Sequence, residues 1–427
     1  MADTACCSLV ASMCWFVLFA DHVAGGKVLL VSMDGFRWDY LQTVPDLSNF
    51  TRLAKLGVSA KFANTTFVTK SFPTHYSIVT GCYQENHGIV GNNMYDPEHD
   101  AYFTKDSTEE FWWNQREPIW STVVRNGKKA GVNFWPGSMA NVSYPPTERR
   151  VYDETADPYE RIAVALSWFN EPNNYDFVAM YFDQPDGAGH VFGVNHTGLR
   201  DEIQKMDMVL GAILKTLQER NLENVVDFIL TSDHGMTSCN ISDKLINVSR
   251  EADLGPEVVR YTEKGAIMGV WPAPGMEDQV VQKLQSLSHV TVYRKKDIPD
   301  RFHYKNNSRI APVILLADEH WLLTNGSDRV FEKNSFGDHG YDPDLESMKT
   351  IFFAKGPSFK QNFRVAGVRL VDIYSLLCHL LKVPASNHDG NIQNMKDLLV
   401  DGIVSSAAKP SISIVIAAAA TIVAVIH

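Results

Sequence analysis

The stretch VVDFILTSDHG, Val225 to Gly235, decides how this chain is read. Val226 with Phe228 to Leu230 makes a short apolar run of buried-strand length, and it stops abruptly at Asp233-His234-Gly235. A carboxylate beside an imidazole at the tip of a buried strand is costly unless something binds there. In open α/β sheets, ligands sit at the carboxyl ends of the strands. One such pair is more often a cap or a satisfied hydrogen bond, so the reading rests on its repetition elsewhere.

Two further strands end in the same way. VLLVSM (Val28 to Met33) is followed by Asp34-Gly35, and DFVAMYF (Asp176 to Phe182) by Asp186. Between the second of these and the opening stretch, Ile203, Met206, Val209, Leu210, Ile213, Leu214 and Leu217 recur at helical spacing. Strand, helix, strand is the unit of a parallel sheet. The fold class expected is therefore α/β, a central mostly parallel sheet with helices on both faces and a metal site at the carboxyl ends of the strands.

Asp186-Gly-Ala-Gly-His190 places an Asp and a His four apart on a turn loosened by two glycines, a chelating spacing. Gly337-Asp-His339-Gly-Tyr341 adds a third His in a Gly-flanked loop. The candidate ligands are then Asp34, Asp186, His190, Asp233, His234 and His339. Three imidazoles with three carboxylates suit zinc better than calcium or magnesium, and six ligands divide naturally between two ions. TKSFPTHYSIVTG (Thr69 to Gly81) predicts a helix that starts near Pro73 and stops at Gly81. Ser71 stands at its positive end, either as a nucleophile beside the metals or as a simple helix cap. The stretch alone admits both.

A composition of 45% hydrophobic and 21% charged residues builds a large core, and no linker divides the chain. A net charge of −11 argues against a nucleic-acid polymer as partner. Residues 8–20, SLVASMCWFVLFA, read as the apolar part of a signal peptide, assigned here to 1–25. Eight N-x-S/T sequons (Asn49, Asn64, Asn141, Asn195, Asn240, Asn247, Asn306 and Asn325) fit a glycosylated extracellular protein. Ile412 to Ile426 is apolar but short of the ~20 residues of a comfortable span, with Ser405, Ser406 and Ala407 upstream. The segment 401–427 is expected to be a GPI-attachment signal, with a membrane span as runner-up, tethering the protein outside the cell. The catalytic domain is expected over 26–400. Cys82, Cys239 and Cys378 allow at most one internal disulfide.

KVLLVSMDGFRWDY (27–40), TKSFPTHYSIVTG (69–81), ENHGIVGNNMYDP (85–97), DQPDGAGH (183–190), TSDHGMT (231–237) and GDHGYD (337–342) resemble the ectonucleotide pyrophosphatase/phosphodiesterase family of the alkaline phosphatase-like superfamily. The resemblance runs from Lys27 to about Leu399 and suggests the short, single-domain branch, close to its alkaline sphingomyelinase. It implies a two-zinc phosphodiesterase with a covalent phospho-enzyme intermediate. One zinc is held by Asp186, His190 and His339, the other by Asp34, Asp233 and His234. Ser71, a Thr in most relatives, is implied as the nucleophile and as a contact of the second zinc. Asn92 is implied as the side-chain donor to the phosphate.

Substrate is the open question. Phe72 matches an aromatic that nucleotide-cleaving relatives place against the base, whereas Glu148, Arg149 and Arg150 stand where a stacking Tyr is expected. Trp135 and Tyr152 match the sphingomyelinase headgroup region, and aromatic faces attract a quaternary ammonium. The reading leans to a choline phospholipid; the alternative is a nucleotide pyrophosphatase/phosphodiesterase. A sulfatase lacks its Arg after Ser71-Phe-Pro. A metal-dependent phosphomonoesterase wants an Arg near Ser71, and none is there. An inactive cell-surface recognition protein remains the non-enzyme reading, although no ligand is missing.

Overall fold

The computed structural model describes residues 26–239, 241–326 and 337–402. The expected signal segment 1–25, the sequon asparagine Asn240, and the part of the expected anchor segment beyond residue 402 lie outside the described residues. In chain order the strands used here are β1 (Lys27–Met33), β2 (Val58–Ala60), β3 (Ala130–Asn133), β4 (Glu148–Arg150), β5 (Phe177–Phe182) and β6 (Val226–Thr231). They continue with β7 (Val258–Thr262), β8 (Ile267–Pro272), β9 (Val290–Arg294), β10 (Val313–Ala317), β11 (Phe352–Lys355) and β12 (Phe363–Val365). The helices are α1 (Ser48–Leu56), α2 (Ser71–Thr80), α3 (Pro158–Ser167), α4 (Asp186–Phe192), α5 (Thr197–Glu219) and α6 (Ile373–Leu381).

Eight strands form the main sheet in the order β12-β2-β11-β6-β1-β5-β3-β4. Every pairing is parallel except those of β11, which runs antiparallel to both β6 and β2. Alternation decides the two faces. Val28 and Leu30 join one core with α2 and α6, while Leu29, Val31 and Met33 join the other with α1, α3 and α5. Helices on both faces explain why the strands read as nearly unbroken apolar runs. The periodic residues of α5 that the sequence marked are all buried.

Asp227 breaks the apolar run of β6 and is nonetheless buried. Its carboxylate accepts the backbone N–H and the hydroxyl of Ser358 at 3.0 and 2.6 Å, so it is satisfied structurally. One element was not anticipated. Between β6 and β11 the chain builds a four-stranded antiparallel sheet, β7-β8-β10-β9, with its own small core around Met268, Val270, Leu315 and Leu323. Cys82, Cys239 and Cys378 are all buried free thiols, within the limit of at most one disulfide that the sequence allowed. Among the described residues no helix is long and apolar enough to cross a membrane. Of the sequon asparagines, Asn141, Asn195 and Asn306 are exposed, whereas Asn49 donates to Asp207 and Asn247 caps a helix turn.

Leu230 is wholly buried in β6 between the sheet and α5. Leu230→Ala should cost about 2–5 kcal/mol in chemical denaturation, by lost transfer energy and the cavity left behind. A loss below about 1 kcal/mol would contradict the placement.

Candidate active site

β6, β1 and β5 lie side by side, and each delivers an acidic residue just past its carboxyl end: Asp233, Asp34 and Asp186. The loops are stitched to one another. Asp34 N–H donates to the Phe182 carbonyl, Asp186 N–H to the Asp34 carbonyl, and Gly35 N–H to Asp233 Oδ1 at 3.1 Å. Gly35 is required here. Its φ is +66°, and a Cβ would fall 2.8 Å from Asp186 Cα.

Asp186 and His190 were expected on a flexible turn. They occupy α4 instead, where the four-residue spacing puts both on one face, His190 Nε2 3.4 Å from Asp186 Oδ2. His339 reaches the same carboxylate from the far loop, its Nε2 3.6 Å from Asp186 Oδ1. His234 Nε2 lies 3.0 Å from Asp233 Oδ2 and 3.4 Å from Asp34 Oδ1, and its ring stacks on His339 at 3.5 Å. All six candidate ligands therefore converge.

The imidazoles share one arrangement. Nδ1 of His190, His234 and His339 faces the carbonyls of Gly337, Gly235 and Thr69 at 2.7–2.8 Å. A carbonyl only accepts, so Nδ1 carries a proton and Nε2 faces the cluster, where its lone pair is offered once that nitrogen is deprotonated. The carboxylates supply the complementary sign. Asp34 Oδ1, Asp186 Oδ1 and Asp233 Oδ2 are buried with no hydrogen-bond partner among the described residues.

Electrostatics describe the same demand. Burial drives the Asp34 carboxyl well above the usual range, and Asp233 and Asp186 push it further. Burial also raises Asp186, but His190 and His234 outweigh it and hold the carboxyl at about 2. Asp233 is likewise raised by burial and pulled down overall by His234 and His75. Burial lowers His190, whereas Asp186 brings it up to about 9. His339 stays well below the ordinary range through burial, with His234 and Lys70 adding to it. Three buried carboxylates at one point need compensating positive charge.

The residues fit a metal centre. Asp186, His190 and His339 offer donor atoms within 4.8 Å of one another, as do Asp34 with Asp186 and His234, and Asp34 with His75 and Asp233. The first trio is the set implied for one ion. Asp34, Asp233 and His234, the set implied for the other, are linked pairwise through His234 at the distances above.

Ser71 is the first residue of α2, and Lys70 holds the cap position without a side-chain cap bond of its own. The Ser71 hydroxyl lies 3.4 Å from His234 Nε2. The helix stops at Gly81 in the left-handed conformation, as its sequence predicted. Asn92 Oδ1 accepts the Phe72 N–H at 3.0 Å. That bond fixes the amide orientation and leaves Nδ2 as a donor beside the Ser71 end of the helix.

The aromatic candidates separate. Phe72 is half-buried, edge-on to Phe103. Tyr152 is 44% exposed and lies 6.0 Å from Tyr181, whose hydroxyl donates to Asp34 Oδ2 at 2.7 Å. Trp135 is only 1% exposed; it packs edge-on to His75 and its Nε1 faces the His75 carbonyl at 3.3 Å. It belongs to the core, not to an open headgroup pocket.

Sequence reasoning missed His75, although it lies in the quoted helix one turn after Ser71. Its Nδ1 is 2.8 Å from the Ser71 carbonyl and 3.3 Å from Asp233 Oδ2, and its Nε2 is 2.8 Å from Ser32 Oγ. It ties the first turn of α2, which carries Ser71, to Asp233 and to β1. Also missed was a buried layer behind His339, where Lys70 pairs with Asp338 at 3.3 Å and Asp338 Oδ1 accepts the His339 N–H.

A family model described as type I phosphodiesterase / nucleotide pyrophosphatase matches residues 28–342. Human ectonucleotide pyrophosphatase/phosphodiesterase family member 5 is 39% identical over 381 residues, 87% of this chain and 78% of its own length. The chain belongs to the ectonucleotide pyrophosphatase/phosphodiesterase family. Another human member of the family, the bis(5'-adenosyl)-triphosphatase ENPP4, is 36% identical over 384 residues, 88% of this chain and 82% of its own. Among solved members, murine ENPP5, an inactive threonine-to-alanine variant in complex with AMP, superposes with a TM-score of 0.83 at 36% identity. The match covers 88% of this chain and 100% of that one. Membership makes the chain a phosphodiester-bond hydrolase of the alkaline phosphatase-like superfamily. These relatives carry nucleotide names, so they favour the nucleotide alternative over the choline phospholipid reading.

His75→Ala should lower turnover about 10–100-fold, the usual effect of losing a residue that orients a ligand. Turnover equal to the parent enzyme would contradict the positioning role.

Proposed function

We propose that this protein is an extracellular nucleotide pyrophosphatase/phosphodiesterase that uses two zinc ions and a covalent intermediate on Ser71. One observation carries the reading. A hydroxyl at a helix N-terminus lies 3.4 Å from His234 Nε2, in a cluster of three Nδ1-anchored imidazoles and three carboxylates with orphaned oxygens. The donor set, three nitrogens and three oxygens, suits zinc. Asp186, His190 and His339 would hold one ion, and Asp34, Asp233 and His234 the other, with Ser71 beside the second. When bound, the pair supplies positive charge that stabilises the deprotonated hydroxyl and the phosphate oxygens of the transition state.

The chain's own residues do the rest. Ser71 Oγ attacks phosphorus in line, forming the Ser71–phosphorus bond as the bond to the leaving group breaks. The proton released from the hydroxyl passes to solvent, and the leaving oxygen is protonated from solvent. Asn92 Nδ2 donates to a phosphate oxygen as charge develops there. The N-terminus of α2 favours the same charge. Water then cleaves the Ser71–phosphorus bond, releasing a nucleoside monophosphate and restoring the hydroxyl.

The substrate assignment follows from the rim. Phe72, next to Ser71, and Tyr152, 6.0 Å from Tyr181, are the candidate aromatics that remain at least partly accessible, and an aromatic ring suits stacking with a base. Trp135 is sealed, which removes one of two residues on which a choline pocket rested. The AMP complex of murine ENPP5 and the name of ENPP4 support the same choice. The signal-like segment, the sequons and the terminal apolar run support a location at the outer cell surface, with anchoring through residues 401–427 as part of the proposal.

Ser71→Ala should abolish hydrolysis of a thymidine monophosphate p-nitrophenyl ester while two zinc ions per chain remain by elemental analysis. Retained turnover, or no bound zinc in either form, would refute the mechanism. Asn92→Ala should lower kcat by about 10²–10³-fold, the cost of one oxyanion donor. Phosphocholine release from sphingomyelin that outpaces nucleotide cleavage would overturn the substrate.

A further inference from the structure

A cavity of about 350 Å³ lies at the β2–β12 edge of the main sheet, under α1 and away from the metal ligands. The register explains how it forms. Ser59 of β2 is opposite Phe353 of β11 on one side and Arg364 of β12 on the other, so all three share one face. Lys61 continues the ladder, its N–H donating to the Val365 carbonyl, and the period of two returns it to the face of Ser59. α1 covers part of that face with Leu47 before it and Phe50 and Ala54 along it, and leaves the edge open.

Two chemistries meet there. The inner wall is apolar: Leu47, Phe50, Ala54 and Phe353. The rim is cationic: Lys55, Lys61 and Arg364 line it, none makes an ion pair among the described residues, and no Asp or Glu lines the cavity. Ser59 is 8% exposed, and its accessible hydroxyl has no hydrogen-bond partner among the described residues where it lines the cavity. Trp38 closes one side, with Lys61 Nζ 5.4 Å above its ring.

We propose that this cavity binds a single-chain anionic amphiphile, a fatty carboxylate or a monoalkyl phosphate. The head group is held by Ser59, Lys61 and Arg364, and the chain lies against Phe50, Leu47 and Phe353. Size agrees, since small-molecule pockets are concave and mostly apolar with a few polar groups, and begin near ~300 Å³. A neutral ligand leaves the three cations uncompensated; a small inorganic anion leaves the apolar wall unused.

Calorimetric titration of the zinc-loaded protein with decanoate, decyl phosphate and neutral decyl maltoside tests the assignment, with saturating AMP present to occupy the catalytic cleft. At least one anion should bind saturably, one per chain, and at least tenfold more tightly than the maltoside. Tighter binding of decanoate assigns a carboxylate head group, and tighter decyl phosphate a phosphate. The exposed double variant Lys61→Glu, Arg364→Glu should weaken anion binding at least tenfold with nucleotide ester turnover unchanged. Ala54→Trp, which fills the cavity from α1, should abolish binding by a separate route. Saturable binding absent for both anions, equal affinity for the maltoside, or affinity unchanged in the double variant would overturn the proposal.

Discussion

The structure depends on one electrostatic problem: three carboxylates buried together where three adjacent strands end. Hydrophobic burial can place β6, β1 and β5 side by side, but it cannot stabilise Asp233, Asp34 and Asp186 at their tips. Only opposite charge does that. His190 and His234, whose pKa values the carboxylates raise against burial, supply part of it when protonated, and the carbonyl-anchored Nδ1 atoms of all three imidazoles leave Nε2 turned inward. Much else serves this point. Gly35 has no side chain because Asp186 occupies its space, and Tyr181 and His75 each fix one of the carboxylates.

Much of this was legible in the sequence, for a physical reason. A strand buried on both faces must be apolar, so the position where Asp34, Asp186 or Asp233 interrupts the run marks both the strand's end and the site. The helical period of α5 and the Pro-to-Gly limits of α2 were equally plain, because both arise from local backbone constraints. What escaped was what local pattern does not encode. The antiparallel sheet β7 to β10 was unseen; its outer strands are only half-buried and carry mixed polar residues such as Val258-Val-Arg-Tyr-Thr262. The α4 helix was read as a turn because its glycines disfavour a helix locally, a preference that tertiary contacts overrode.

Side chains with two uses were the hardest to place. A tryptophan beside an active site serves equally as packing or as a ligand platform, and only its surroundings decide; Trp135 lies in the core beneath His75. Asp227 looks like Asp233 in the sequence, six residues apart in the same motif, yet Ser358 satisfies it. Ser71 could have capped its helix. The fold gave the cap position to Lys70 and left the hydroxyl at His234. The proposed role of Ser71 rests on that placement.

The central claim is that Ser71 becomes covalently bonded to phosphorus during turnover. Rapid acid quenching of the enzyme during hydrolysis of a nucleotide ester, followed by peptide mass analysis, tests it directly. The account predicts a nucleoside monophosphate ester on the peptide carrying Ser71. The modification on any other residue, or hydrolysis with inversion of configuration at a chiral phosphorothioate, which marks direct attack by water, would contradict it.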